Sequence, residues 1–313
     1  MKKIYFVLTT LLVAVFLFVS CTSQSLKDNT NVKNTNNVQK VEGPIVFGEL
    51  KDGEYTEGKV LIGYTDKTAA LEVVKLLNGK IVVDLPQIKM VSVKFNGTVA
   101  EAYEKIKEAN IKGIKYVEPS YKRELIKPLP VENKELTSKF EPKTMSLRGE
   151  EEFSTSLWGL EAIGATEIWP EASGTDIIVA VVDSGVDGTH PDLEGQVIEG
   201  YRPFIDKVLP AGTDSSYGGA HGTHVAGTIA AKKDEKGIVG VAPNAKIMPI
   251  VIFDDPALVG GNGYVGDDFV AAGIIWAVNH GARVMNHSWG GWGYSHTMKA
   301  AFDYALDNGV IMV

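Results

Sequence analysis

Asp183 closes an apolar run, Ile177-Ile178-Val179-Ala180-Val181-Val182, and Ser184-Gly185 follow it. His221 opens a segment of mostly small residues, Gly222-Thr223-His224-Val225-Ala226-Gly227-Thr228. A carboxylate ending a buried strand and an imidazole starting a helix are two members of an acid–base–nucleophile device. The carboxylate holds the ring, and the ring takes up and returns the proton of a nucleophile. Two plainer readings compete with this one. An isolated Asp-Ser-Gly is ordinary turn chemistry. His221 and His224 stand three apart on one helix face, as a structural pair or metal ligands would. The zinc-protease pattern needs His-Glu-x-x-His. Gly222 occupies the glutamate position and no third ligand stands out, so the metal reading is rejected.

An acid on a strand and a base on a helix require a sheet with helices packed on it. From Leu157 onward, strands alternate with helices, the pattern of a parallel sheet covered on both faces. Expected strands are Ile177–Val182, Ile247–Phe253, Arg283–Met285 and one beginning at Val310. Expected helices are His221–Ala231, one from Asp267 through Trp276, and Thr297–Asp307. In open α/β sheets, ligands lie beyond the carboxyl ends of the strands, where Asp183 falls.

A smaller module occupies residues 48–125. Lys59–Tyr64, Ile81–Val83, Ile88–Phe95 and Ile114–Val117 read as strands, and Glu118-Pro119 is expected to end the last of them. Leu71, Val74 and Leu77 mark one helix, and Thr98-Val99-Ala100-Glu101 is a capping box for another carrying Ala102, Ile106 and Ala109. The order βαββαβ is that of a ferredoxin-like α+β unit. Residues 126–152 are polar, with Pro128, Pro130 and Pro142, and read as an exposed linker open to proteolytic nicking.

Taken together, these residues resemble the subtilisin-like serine protease (subtilase) family. The acid motif is Ile178-Val179-Ala180-Val181-Val182-Asp183-Ser184-Gly185-Val186-Asp187, running on to His190-Pro191-Asp192-Leu193. The base motif is His221-Gly222-Thr223-His224-Val225-Ala226-Gly227-Thr228, and Gly240-Val241-Ala242-Pro243-Asn244-Ala245 follows in the family's order. The acid-before-base order agrees with the Asp, His, Ser order of subtilisins.

The resemblance implies an α/β fold, a subtilisin-like parallel sheet flanked by helices over residues 153–313. It implies that His221 is the general base and Asp183 its orienting acid. It makes the 48–125 module, with its ending Tyr116-Val117-Glu118-Pro119, a propeptide that inhibits by laying its tail in the cleft. Ser288, Trp289 and Gly290, within Asn286-His287-Ser288-Trp289-Gly290-Gly291, resemble the segment that pairs with substrate backbone. Gly263, Tyr264 and Val265 resemble the opposite edge, so that an extended peptide would be held as an added strand. For Tyr264 and Trp289, ordinary packing is the plainer alternative. The resemblance also implies structural calcium, with Asp192 and Asp234 as ligands and Ser154 near the place of a further one. Oxygen donors on a loop suit that ion. No organic cofactor is implied, and the partners are protein or peptide substrates.

The family nucleophile sits in a Gly-Thr-Ser-Met-Ala type motif, and these 313 residues contain none. Thr213-Asp214-Ser215-Ser216 lacks that pattern. The expectation is a protease precursor whose C-terminal part is missing here, inactive as given. The alternatives are a stand-alone protease inhibitor acting through the propeptide-like module, or an inactive remnant.

Lys2 and Lys3 followed by the apolar stretch Ile4–Val19 have the layout of an export signal over residues 1–20. That stretch is short for a membrane span of about 20 apolar residues. Phe18-Val19-Ser20-Cys21 resembles a bacterial lipoprotein box, implying a lipid anchor at Cys21, the single cysteine, and a flexible tether over residues 21–47. A lone cysteine leaves no intrachain disulfide framework. A net charge of −8, with 44% apolar and 22% charged residues, describes a globular chain without the basic face of a nucleic-acid binder.

Overall fold

The structure, a computed structural model, describes residues 43–126 and 157–313. The export-signal segment, Cys21, most of the tether, nearly all of the 126–152 linker and Ser154 lie outside the described residues.

The N-terminal module consists of β1 (Val46–Phe47), β2 (Tyr55–Tyr64), α1 (Lys67–Leu76), β3 (Lys80–Leu85), β4 (Met90–Lys94), α2 (Val99–Ala109) and β5 (Ile114–Tyr121). The predicted capping box opens α2: Glu101 N donates to Thr98 Oγ1 at 3.2 Å, and Thr98 N donates to Glu101 Oε2 at 2.9 Å. The sheet order is β1-β5-β2-β4-β3. Its last four strands follow the ferredoxin-like arrangement, with β1 added parallel to β5. Strand alternation sorts the two faces. Val60, Ile62, Val91 and Val93 pack on α1 and α2 around Val73 and Ile106. Leu61, Leu85 and Met90 project the other way and join the core of the second module.

Strand β5 does not stop at Glu118-Pro119. It continues to Tyr121, because Pro119 lies opposite Val60 at a register shift in β2, where a missing N–H is tolerated. The continuation matters for the interface. Tyr116, Glu118 and Ser120, alternate residues, all meet the second module.

That module contains α3 (Trp158–Ala162), α4 (Ala165–Ile168), β7 (Ile178–Asp183), β8 (Gly200–Arg202), β9 (Lys207–Leu209), α5 (His221–Ala230), β10 (Lys246–Val251) and α6 (Pro256–Val259). It continues through α7 (Asp267–Asn279), β11 (Val284–Asn286), β12 (Trp289–Gly290), α8 (His296–Asp307) and β13 (Ile311–Met312), while β6 (Glu124–Leu125) ends the N-terminal module. The main sheet has the order β13-β11-β7-β10-β8-β9. It is parallel as predicted, except that β8 and β9 form an antiparallel hairpin at one edge. Those strands are three residues each, too short to show a period in sequence. Along β7, Val179 and Val181 pack with Ala226 and Ala230 of α5. Ala180 and Val182 face the opposite core, with Ala271 and Ile274 of α7 and Ala301 of α8.

The two modules are joined through helix N-termini. Glu118, fully buried, accepts from His296 N at 2.7 Å, Thr297 N at 2.8 Å and Ser295 Oγ at 3.0 Å. The two N–H donors are amide groups that a helix start leaves without intrahelical partners. Burial pushes the Glu118 carboxyl up to about 7, against the pull of the Thr297 and His296 donors. At α7 the exchange is reversed. Lys59 Nζ and Ser92 Oγ reach Asp268 at 2.7 and 2.6 Å, and Ser120 Oγ accepts from Asp267 N at 3.1 Å.

Two outcomes are expected. Glu118→Ala orphans the donors at the start of α8 and should lower the unfolding free energy in urea by about 2 kcal/mol; a change below about 0.5 kcal/mol would refute the role. His287 supplies a pH test. Its ring nitrogens are covered and have no hydrogen-bond partner among the described residues, although the residue as a whole keeps intermediate exposure. Burial pushes its pKa down to about 4. The folded state therefore refuses a proton that the unfolded chain binds from about pH 6.5 downward. Stability is full above that value and falls as pH drops toward 4, by no more than about 3 kcal/mol. Melting temperature against pH should show this loss, and His287→Phe should flatten it; identical slopes in both proteins would count against it.

Candidate active site

Asp183 is the last residue of β7 and fully buried. His221 is the first residue of α5, with 22% of its side chain exposed. Their proximity depends on Gly222. A Cβ there would collide with the Gly185 carbonyl and crowd the Asp183 side chain, so only glycine lets the helix start this close to the strand end. His221 Nδ1 lies 2.9 Å from Asp183 Oδ1 and 3.0 Å from Oδ2. Ser184 N donates to Asp183 Oδ1 at 2.6 Å. Ser184 Oγ is engaged structurally, donating to Gly219 O and accepting from Gly222 N. His224 lies exposed on α5, away from this pair's contacts. Among the described residues no group of three or more His, Cys, Asp or Glu side chains could hold a metal ion.

The other ring nitrogen of His221 faces a carbonyl: Nε2 is 3.0 Å from Ile126 O. Both ring nitrogens therefore face oxygen atoms, one on the strand that carries the acid and one on the prodomain tail. Ile126 lies at the end of the N-terminal module, and the preceding residues run through the cleft as a strand. β6 pairs antiparallel with β12, Leu125 opposite Trp289 and Glu124 opposite Gly290. Ile126 N donates to Ser288 O at 3.1 Å. The Trp289 side chain is anchored separately, its Nε1 donating to Val182 O at 3.0 Å.

The opposite edge holds the tail differently from the β12 edge. Among the described residues β6 has no backbone pairing with Gly263, Tyr264 or Val265. Gly263 has φ of +82° and presses on the Asp254 carbonyl, and Val265 is buried with its N–H on Ile252 O. The tail is held on this side by side chains instead. Asn262 Nδ2 donates to Arg123 O at 2.7 Å. Arg123 Nε and Nη2 donate to Asp267 Oδ1 and Oδ2 at 3.2 and 3.0 Å, and Nη1 donates to Trp292 O and Gly293 O. Tyr264 Oη donates to Asp267 Oδ1 at 2.6 Å. Burial and the Asp267 carboxylate push that hydroxyl well above its ordinary value, so it remains a donor.

Sequence reasoning missed Arg123, Asn262 and Asp267. An acidic residue in the first turn of a helix is already accounted for by the helix dipole, so Asp267 gave no separate signal. Its readable clue was an arginine just before the apolar pair Leu125-Ile126 in an otherwise exposed tail.

Asp192 lies in a short helical turn (Pro191–Leu193) between β7 and β8, and Asp234 in the loop after α5. Asp192 Oδ2 accepts from Ile238 N at 3.2 Å, and Gly237 sits directly over its carboxylate. Asp234 Oδ1 is buried with no hydrogen-bond partner among the described residues, while its Oδ2 is 3.6 Å from Lys232 Nζ. A buried carboxylate oxygen with a free lone pair fits a hard cation ligand.

Comparison with known proteins agrees with this architecture. Residues 174–313 match the Subtilase family, and residues 42–120 match the Fervidolysin N-terminal prodomain. The chain is 64% identical over its whole length to fervidolysin of Fervidobacterium pennivorans, spanning 46% of that protein. It is 31% identical to a thermophilic serine proteinase of Bacillus sp. (strain AK1), over 87% of this chain and 63% of the relative. Among solved structures, the crystal structure of fervidolysin, described as a keratinolytic enzyme related to subtilisin, superposes with a TM-score of 0.81 at 70% identity. The match covers 86% of this chain and 41% of that one. The strand that carries the acid, the glycine that lets the base approach it, and the module in front thus share one ancestry: residues 174–313 belong to the subtilase family, and residues 42–120 are a prodomain of the fervidolysin type.

Proposed function

We propose that this chain belongs to an exported serine endopeptidase precursor, with Asp183 and His221 as the acid and base. The observation that carries the reading is His221 itself, bonded to Asp183 through one nitrogen and to a peptide carbonyl of an extended strand through the other. In this reading Asp183 fixes the ring tautomer and stabilises the imidazolium formed during reaction. His221 takes the proton of a serine hydroxyl supplied from outside the described residues and returns it to the leaving amine. Ser288, Trp289 and Gly290 hold the substrate backbone by strand addition, and Tyr264 sets the opposite wall.

The 43–126 module is then an intramolecular inhibitor, whose tail occupies the cleft in the position of a substrate. In this reading the bond after Ile126 is the one cut, at the start of the 126–152 linker, and the 3.0 Å contact of Ile126 O with His221 Nε2 supports it. Residues 1–20 direct export, and Cys21 carries a lipid that holds the protein at a membrane surface. The description of fervidolysin as a keratinolytic enzyme supports keratin as one substrate class for the present chain.

Asp192 and Asp234, with carbonyls of the loop after α5, would hold a calcium ion that ties this loop down and so protects the start of the base helix.

Two measurements test the reading. Expressed as the complete gene product in a protease-deficient host, the wild type should appear cleaved with Lys127 as the new N-terminus by mass spectrometry. His221→Ala should stay uncleaved, and Asp183→Asn should slow cleavage by about 10⁴-fold. Cleavage of His221→Ala at the wild-type rate would defeat the assignment. For the ion, millimolar calcium should raise the melting temperature of this chain relative to chelator, with Asp234→Ala abolishing the difference; equal temperatures with and without calcium would remove it.

A further inference from the structure

The residue that occupies the far end of the cleft is an arginine, and everything that receives it belongs to the subtilase domain. Arg123 stands three residues before Ile126, whose carbonyl is at His221. Its side chain is 8% exposed and that of Asp267 is 0% exposed. The guanidinium finds four acceptors: the two Asp267 oxygens, held 3.0–3.2 Å away in a fork, and the carbonyls of Trp292 and Gly293 at 2.9 and 3.2 Å. Tyr264 Oη completes the carboxylate's coordination. The backbone of the same residue is fixed by Asn262, so the side chain is aimed into the pocket and does not fall there by its own flexibility.

Once the tail departs, these acceptors have no donor from their own domain among the described residues, apart from the Tyr264 hydroxyl. A substrate side chain that covers this carboxylate and the two carbonyls without donating to them leaves them buried and uncompensated, which is costly. A guanidinium restores the whole set, because its planar donors match a carboxylate fork. An ammonium supplies only a point charge, and an aliphatic side chain supplies nothing.

We propose that Asp267, Tyr264 and the carbonyls of Trp292 and Gly293 form an arginine-selective pocket for substrate. It reads the fourth residue on the amino side of the bond to be cut. Asp267 is the specificity-determining residue. The proposal rests on the endopeptidase reading above and narrows its substrates to peptides with arginine at that place. The tail sequence Arg123-Glu124-Leu125-Ile126 is then the protein's own copy of a preferred substrate.

The test uses the matured complete gene product and three fluorogenic peptides, Arg-Glu-Leu-Ile, Lys-Glu-Leu-Ile and Leu-Glu-Leu-Ile, each with a leaving group after isoleucine. The kcat/KM should favour arginine over leucine by at least about tenfold, since a site built around polar groups rejects analogues that leave them unpaired. Lysine should fall between them, and Asp267→Leu should erase or invert the ratio. Equal kcat/KM for the arginine and leucine peptides in the wild type overturns the pocket. If none of the peptides is cut, the endopeptidase reading fails, and the same set still decides the pocket by binding. The 313-residue chain with residues 123–126 all replaced by glycine, which removes the tail's side-chain anchors from the cleft, is titrated with each peptide and followed by tryptophan fluorescence. Tighter binding of the arginine peptide upholds the pocket, and equal binding overturns it.

Discussion

The joint between the two modules depends on an exchange of charge at helix starts. The prodomain brings a carboxylate, Glu118, to the open amides of α8. The subtilase domain offers Asp267 and Asp268 at the start of α7, and receives Arg123, Lys59, Ser92 and Ser120 in return. All three carboxylates are fully buried, so none of them is tolerable without its partner. Apolar contact alone, as Leu61, Leu85 and Met90 provide, is non-directional. The carboxylates fix the register, and the register delivers residues 123–126 to the cleft in a single alignment.

A second constraint operates inside the subtilase domain. Asp183 lies where β7 leaves the sheet, and α5 must begin at van der Waals distance from it. Gly222 and the Ser184 hydroxyl accomplish this, one by having no side chain and the other by accepting the helix's own N–H. The same parts that make the helix start close to the strand also hold the ring of His221 beside the carboxylate. Packing and site geometry are therefore one problem solved by one set of residues.

Much of this was readable from the chain. The acid strand and base helix stood out because an apolar run ending in Asp and a small-residue run beginning with His are each unusual, and the order of three motifs named the family. The ferredoxin-like module followed from ordinary alternation and from one capping box. What escaped was the interface. Glu118, Ser120 and Ser92 interrupt strands with polar side chains, and polar residues in a strand read as a solvent face or an ending unless a partner surface is known. Glu118-Pro119 was an expected terminus because proline has no N–H to give a strand ladder. The hairpin β8–β9 was invisible at three residues per strand. Asp267 looked like a helix-start residue with nothing further to explain, and its role emerged only when Arg123 was found lying on it.

Gly293 carries a consequence of a different kind. It has φ of +85°, and the ring of Tyr121 lies where its side chain would be, while its carbonyl receives Arg123. One glycine thus faces both the shaft of the prodomain tail and the pocket beneath it. Positions 121, 123, 267 and 293 cannot drift independently in a lineage. Under the arginine-pocket proposal, a change at Asp267 or Gly293 must be matched at Arg123 or Tyr121, or the tail no longer fits the cleft. In that proposal selectivity and latency are inherited together, and the tail carries a copy of what the cleft prefers.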